Sequence, residues 1–67
     1  MTQIIFNGES RPVPPGATVA DLLTELELDP RQVAVEVNLE LVPRGRHALH
    51  ALGNGDCVEV VSLVGGG

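Results

Sequence analysis

Aromatic side chains are almost absent from this 67-residue sequence, which has one phenylalanine, Phe6, and neither tyrosine nor tryptophan. The apolar fraction is nevertheless 43%, so any core has to be built from valine, leucine and isoleucine. A chain of this length buries only a small core and lies near the lower limit for folding without disulfides or metals. We therefore expect a single domain over residues 1–67.

Cysteine is nearly absent as well. Cys57 stands alone, which excludes an internal disulfide and a cysteine-based zinc site. No basic segment leads into an apolar run near Met1, so no signal peptide is expected. No apolar run approaches the ~20 residues of a membrane span. These features favour a cytoplasmic protein that does not enter a membrane.

Lysine is missing altogether, and four arginines face nine acidic residues, which gives a formal net charge of -5. Proteins bind phosphate backbones through lysine and arginine, so we expect no nucleic-acid partner. A protein with a positively charged surface is the partner that this net negative charge favours.

The first third of the sequence predicts a hairpin and a helix. Residues 4–6 and 11–13 are typical of strands, and Asn7-Gly8 is a strong hairpin signal because both residues tolerate positive φ. Thr18 predicts a helix N-cap with Asp21 as its capping-box partner. An apolar stripe follows at helical spacing: Val19, Leu22, Leu23 and Leu26. Asp29-Pro30 is then expected to close the helical segment.

The remaining sequence predicts three more strands, at residues 33–37, 39–42 and 57–64. Between the last two, residues 44–52 are ambiguous with room for one helical turn, and residues 53–56 form a turn by composition. One amphipathic helix among five strands predicts an α+β class. The order favours a ubiquitin-like β-grasp, a mixed sheet packed on one main helix, with the first and last strands side by side.

Three glycines, Gly65, Gly66 and Gly67, end the sequence. The simplest explanation is a frayed terminus, but glycine makes up only about 7% of average sequences, so the run requires a reason. Residues without side chains can enter a narrow channel, and residues 64–67 fully extended would reach about 13 Å beyond the sheet. We interpret residues 64–67 as a flexible tail that delivers the Gly67 carboxylate into a partner's active site. Gly65 and Gly66 would enter that active site with it.

Patterns inside the chain do not predict a catalytic or metal site. His47 and His50 with Cys57 would need further ligands, and the carboxylates show no matching spacing. Packing or mild exposure at the start of a strand explains Cys57 better than metal binding. The glycines at 53–55 precede a strand, whereas phosphate loops precede helices, and no nucleophile, base and orienting residue occur together. A solvated helix face explains the acidic residues Asp21, Glu25 and Glu27.

A docking surface is predicted beside the tail. If Val58 and Val60 face the helix, Val61 and Leu63 face away from it, and Ile5 does the same on the neighbouring strand. No helix covers that face, so Ile5, Val61 and Leu63 would form an exposed apolar patch, which is typical of a partner site. The alternative is that each is an ordinary scattered surface residue.

Several segments, in this order and over essentially the whole chain, resemble the ThiS family of sulfur carriers in thiamine biosynthesis. They are Ile4-Ile5-Phe6-Asn7-Gly8, Thr18-Val19 with Leu22-Leu23, Ala34-Val35-Glu36-Val37-Asn38, Val42-Pro43-Arg44, Gly55-Asp56 and Gly66-Gly67. The family varies at the residue before the final glycine pair, which here is Gly65.

The resemblance implies a carrier that is not itself an enzyme and binds no cofactor. A ThiF-like adenylating enzyme would use ATP to convert the Gly67 carboxylate to an acyl adenylate. A partner persulfide would then displace AMP and leave a thiocarboxylate, whose sulfur thiazole synthase (ThiG) would use. Alternatives are a carrier for molybdopterin or cysteine synthesis, a ubiquitin-like protein-modifying tag, or a plain interaction module. The short length and Val42-Pro43-Arg44 favour thiamine.

Overall fold

The structure is a computed structural model of the chain and describes residues 1–63. In chain order the elements are β1 (Thr2–Phe6), β2 (Glu9–Val13), α1 (Val19–Glu25), β3 (Val33–Val37), β4 (Glu40–Val42), a 3₁₀ turn (Arg44–Arg46) and β5 (Cys57–Ser62). Within the described residues, no helix combines the length and apolar character needed to cross a membrane.

The strands form one mixed sheet in the order β2-β1-β5-β3-β4. The first and last strands, β1 and β5, lie side by side and run parallel, while every other neighbouring pair is antiparallel. The predicted side-by-side placement of the first and last strands is therefore confirmed. β5 ends at Ser62 rather than at the predicted residue 64, which lies outside the described residues.

Two tight turns connect the antiparallel hairpins. Asn7 and Gly8 have φ of 46° and 87°, and Asn38 and Leu39 have φ of 53° and 69°. Positive φ at both central residues matches the twist of the strands. β2 therefore extends up to the turn, further than predicted, and β1 begins two residues earlier than predicted. The prediction that Leu39 begins the fourth strand is wrong, because Leu39 belongs to the turn and β4 starts at Glu40.

The helix begins as its sequence predicts and ends earlier. The Asp21 backbone N–H donates to Thr18 Oγ1 at 3.2 Å, and the Thr18 N–H donates to Asp21 Oδ2 at 2.9 Å, which completes the capping box. The predicted closure at Asp29-Pro30 is wrong, since α1 ends at Glu25. Glu27 adopts φ of 57°, and the Leu28 N–H donates to the Leu23 carbonyl, as in a Schellman motif.

The core lies between α1 and one face of the sheet. Its buried apolar residues come from every strand, from the helix and from the loops beside it: Ile4, Val13, Ala17, Val19, Leu22, Leu23, Val35, Val37, Val42, Leu52 and Val58. Arg11 on β2 reaches across to Glu25 at the end of α1, with 3.0 Å between Nη2 and Oε1. The helix therefore packs on one side only, and the opposite sheet face has no covering layer among the described residues.

Candidate functional site

The predicted reactive tail, Gly65 to Gly67, lies outside the described residues, so the site is described up to Leu63. β5 leads toward it from the middle of the sheet. Register pairs Phe6 with Val58, after which β5 continues to Ser62 while β1 turns back. On the other side, the Leu63 N–H donates to the Gln32 carbonyl at 2.8 Å. β3 thus supports the last described residues of the chain.

Both hairpin turns bind the last strand through an asparagine. Asn7 Oδ1 accepts the Val60 N–H at 2.9 Å, and Asn7 Nδ2 donates to the Val60 carbonyl at 3.3 Å. At the other end of β5, Asn38 Oδ1 accepts the Cys57 N–H at 3.0 Å, and the Asn38 N–H donates to the Cys57 carbonyl at 2.8 Å. The two turns therefore fix the strand that precedes the tail.

All three residues of the predicted patch are exposed, and strand alternation places Ile5 and Val61 on the face away from the helix. Their exposed fractions are 36% for Ile5, 57% for Val61 and 63% for Leu63. Ile5 pairs with Cys57 in register, so Val61 lies four residues further along, at about 13 Å from that pairing position. Glu59 projects between them on the same face. The surface consequently has apolar ends with a carboxylate in the middle.

A second carboxylate lies directly opposite the first. Glu36 on β3 pairs with Glu59 on β5, with the Ala34–Val61 pair beside them and Leu41 on the far side of Glu36. Like charges directly opposite one another destabilise a sheet. Neither carboxylate takes part in the salt bridges of residues 1–63, which join Arg11 to Glu25 and Arg31 to Asp29. Sequence reasoning missed this pair, although strand alternation places both residues on one face.

The residues weighed for a metal site do not come together. His47 is buried, with Nε2 3.1 Å from the Val42 carbonyl oxygen, while the His50 backbone carbonyl accepts the Val19 N–H. Cys57 is exposed on the outer sheet face. In the part of the chain that the structure describes, no three potential metal-binding side chains of the His, Cys, Asp and Glu types cluster.

The glycines at 53–55 form a turn, as predicted, and Asp56 organises it. Asp56 Oδ2 accepts the Gly53 N–H at 2.7 Å, and Oδ1 accepts an N–H from the Asn38 side chain at 3.1 Å. Gly55 has φ of 84°, a conformation that favours glycine. The turn therefore serves to set the start of β5 beside the second hairpin.

A helix packed across a mixed sheet whose parallel first and last strands lie at the centre defines the ubiquitin-like β-grasp class. Within that class the chain belongs to the ThiS family, whose model matches residues 4–67. The crystal structure of the thiamine biosynthesis protein ThiS from Geobacter metallireducens superposes with a TM-score of 0.84 at 29% identity, covering 98% of this chain and 100% of that one.

Two curated relatives extend the comparison. The sulfur carrier protein ThiS of Escherichia coli is 32% identical over 97% of this chain and 98% of its own length. The thiazole synthase of Paramagnetospirillum magneticum is 46% identical over 97% of this chain, but the match spans only 20% of that longer protein. This sequence is thus similar both to a free-standing carrier and to a fifth of a thiazole synthase.

Proposed function

We propose that residues 1–67 act as a single carrier domain in the cytoplasm that supplies sulfur for the thiazole of thiamine. Its reactive group is the Gly67 carboxylate, carried by Gly65 and Gly66. The observation that carries the proposal is the match to the ThiS family, because it runs from residue 4 to residue 67 and so includes the three glycines. The similarity to the Escherichia coli sulfur carrier over nearly the full length of both chains supports it.

The chemistry takes place on partners. A ThiF-like adenylating enzyme brings the Gly67 carboxylate to the α-phosphate of ATP, and pyrophosphate leaves as the acyl adenylate forms. The terminal sulfur of a persulfide donor then attacks the carbonyl carbon, and AMP leaves with the bonding electrons. A second thiol cleaves the sulfur–sulfur bond of the acyl persulfide and becomes part of a disulfide. The product is a thiocarboxylate on Gly67.

Thiazole synthase is the sulfur acceptor in this proposal. Support comes from the thiazole synthase of Paramagnetospirillum magneticum, one fifth of which is 46% identical to this chain. A domain that occurs within a larger protein in one organism is well placed to bind the corresponding enzyme in another. The catalytic acids, bases and ATP site then belong to the partners, and the carrier is their co-substrate.

We also propose that partners dock on the outer sheet face through Ile5, Val61 and Leu63. The Glu36–Glu59 pair in the same face indicates a cationic group on that partner, because neither carboxylate is in a salt bridge within residues 1–63. The complementary surface would present apolar side chains around an arginine or a lysine.

Intact-protein mass spectrometry tests the carrier function. After incubation with the cognate adenylating enzyme, ATP and a persulfide donor, we expect a gain of about 16 Da as sulfur replaces oxygen. A matched variant lacking Gly66 and Gly67 should keep its thermal midpoint and gain no mass. An unchanged mass for the wild type, or its appearance only as isopeptide conjugates, would contradict the proposal.

A charge placed in the patch tests the docking face. Val61→Asp should weaken binding to the adenylating enzyme or thiazole synthase by about tenfold or more, because a carboxylate would be buried in an apolar contact. Leu49→Asp is the control, since Leu49 is 76% exposed and lies outside the sheet. Both variants should unfold at nearly the same denaturant concentration. Equal affinity of the two variants would argue against docking through this face.

A further inference from the structure

The last strand has an unused backbone edge beside the tail. In β5 the Cys57 carbonyl accepts from Asn38, and the Leu63 N–H donates to Gln32. These two bonds show that odd-numbered residues of β5 direct their backbone groups to β3. Because successive residues of a strand direct their backbone groups to opposite sides, the even-numbered ones face β1.

Even-numbered residues find partners only as far as Val60. The Val58 carbonyl accepts the Asn7 N–H at 2.9 Å, and the Asn7 side chain bonds both backbone groups of Val60. The chain then turns back at Asn7-Gly8, so nothing in residues 1–63 pairs with the N–H and carbonyl of Ser62 on that side. The edge of β5 is therefore closed by Asn7 up to Val60 and open at Ser62.

An apolar groove lies on the helix side of this open edge. It is a concavity of about 380 Å³ with Asn7 and Ser62 at its rim and five apolar side chains in its lining: Phe6, Leu26, Leu28, Val33 and Val60. The same five are the apolar side chains that pack against the core and stay only partly buried. The helix ends at Glu25 and leaves this end of the sheet uncovered.

We propose that thiazole synthase adds a short extended segment along this edge. Its backbone bonds the Ser62 N–H and carbonyl, and an apolar side chain on its helix-facing side enters the groove. This inference rests on the proposed function and specifies one contact between the carrier and thiazole synthase. Strand addition at an open edge uses backbone bonds for affinity and pockets for specificity.

Two observations favour thiazole synthase over a second copy of this chain, and a third shows that strand addition is not blocked. Gly67 follows Ser62 by five residues, about 17 Å when extended, so a protein that holds the Gly67 carboxylate must pass close to this edge. A second copy of the chain would bring two net charges of -5 together. The edge also lacks the lysine, proline or bulge that usually blocks strand addition.

Proline at position 62 tests the pairing. Ser62→Pro removes an N–H that β3 does not use, and proline is tolerated at such edge positions, so the variant should keep the wild-type unfolding midpoint. We expect its affinity for thiazole synthase to fall about tenfold through the lost hydrogen bond and the ring's bulk. Ser62→Ala keeps the N–H and should bind like the wild type. Equal affinities for the three proteins would overturn the inference.

Amide hydrogen exchange provides a test that depends on no substitution. On addition of thiazole synthase, exchange of the Ser62 N–H in the wild type should slow at least tenfold. An unchanged rate in the saturated complex would overturn the strand pairing even though binding occurs. The carrier function is tested separately, by whether Gly67 gains sulfur in the mass-spectrometry experiment. If the wild type neither binds thiazole synthase nor gains sulfur, the proposed function fails and this inference with it.

Discussion

Replacing Asn7 by glycine removes the side chain that joins the first hairpin turn to the strand preceding the tail. Glycine keeps the positive φ of 46° at this position, so the turn itself persists. The two bonds to Val60, at 2.9 and 3.3 Å, are lost. A typical intramolecular hydrogen bond contributes about 0.5–1.5 kcal/mol to stability. Asn7→Gly loses two such bonds, both exposed, so we expect it to lower the free energy of unfolding by about 1–2 kcal/mol.

Urea denaturation of the purified variants measures this change, and a domain of this size should unfold in a single transition. The thermal midpoint should fall by about 5–15 °C. Leu39→Gly is the matched control, because Leu39 has φ of 69° in the other turn and 84% of it is exposed. That variant relieves strain and should gain up to about 1 kcal/mol. A loss below about 0.3 kcal/mol for Asn7→Gly would refute the reasoning.

Two further predictions concern stability. In urea denaturation, Glu27→Gly should stabilise the fold by up to about 1 kcal/mol, because position 27 has positive φ. The control, Thr24→Gly inside α1, should destabilise it by about 1 kcal/mol. Changes of the same sign in both variants would contradict this prediction. Hydrogen bonds from Arg31 lower the pKa of Asp29, so their stabilisation is present above the ordinary pKa and is lost as the pH falls through the folded value. An NMR titration should show the Asp29 midpoint rising toward its ordinary value in Arg31→Met, and an unchanged midpoint would count against this.

Local signals predicted most of the elements. The capping box at Thr18 and Asp21, the Asn7-Gly8 turn and the alternation in β3 each involve residues within a few positions of one another, so the sequence displays them directly. The two wrong predictions, the start of β4 and the end of α1, concern residues with positive φ that are not glycine. Leucine rarely adopts positive φ, so nothing local marks Leu39 as a turn residue. Glu27 is not the glycine that usually follows a helix end, so nothing local marks the end of α1 there.

In the candidate site, too, the features that depend on neighbouring residues could be predicted and those that depend on strand pairing could not. Alternation along a strand predicted that Ile5, Val61 and Leu63 point outward. This prediction requires only that an adjacent residue in the same strand faces the helix. It did not predict that Glu36 and Glu59 stand opposite one another, because that depends on the register between strands more than 20 residues apart in sequence. The function of the patch remains a proposal that the Val61→Asp experiment addresses.

The sequence by itself determined that this chain has a small aliphatic core, one amphipathic helix among five strands, and a final run of glycines in the pattern of a sulfur carrier family. Tertiary structure alone decided which backbone groups of β5 are paired and which are open. Asn7 illustrates the physical reason. Its conformation is a local property that the dipeptide predicts, but its amide bonds Val60, 53 residues away. Only the packed sheet brings those two residues together and leaves the β1-facing side of Ser62 without a partner among residues 1–63.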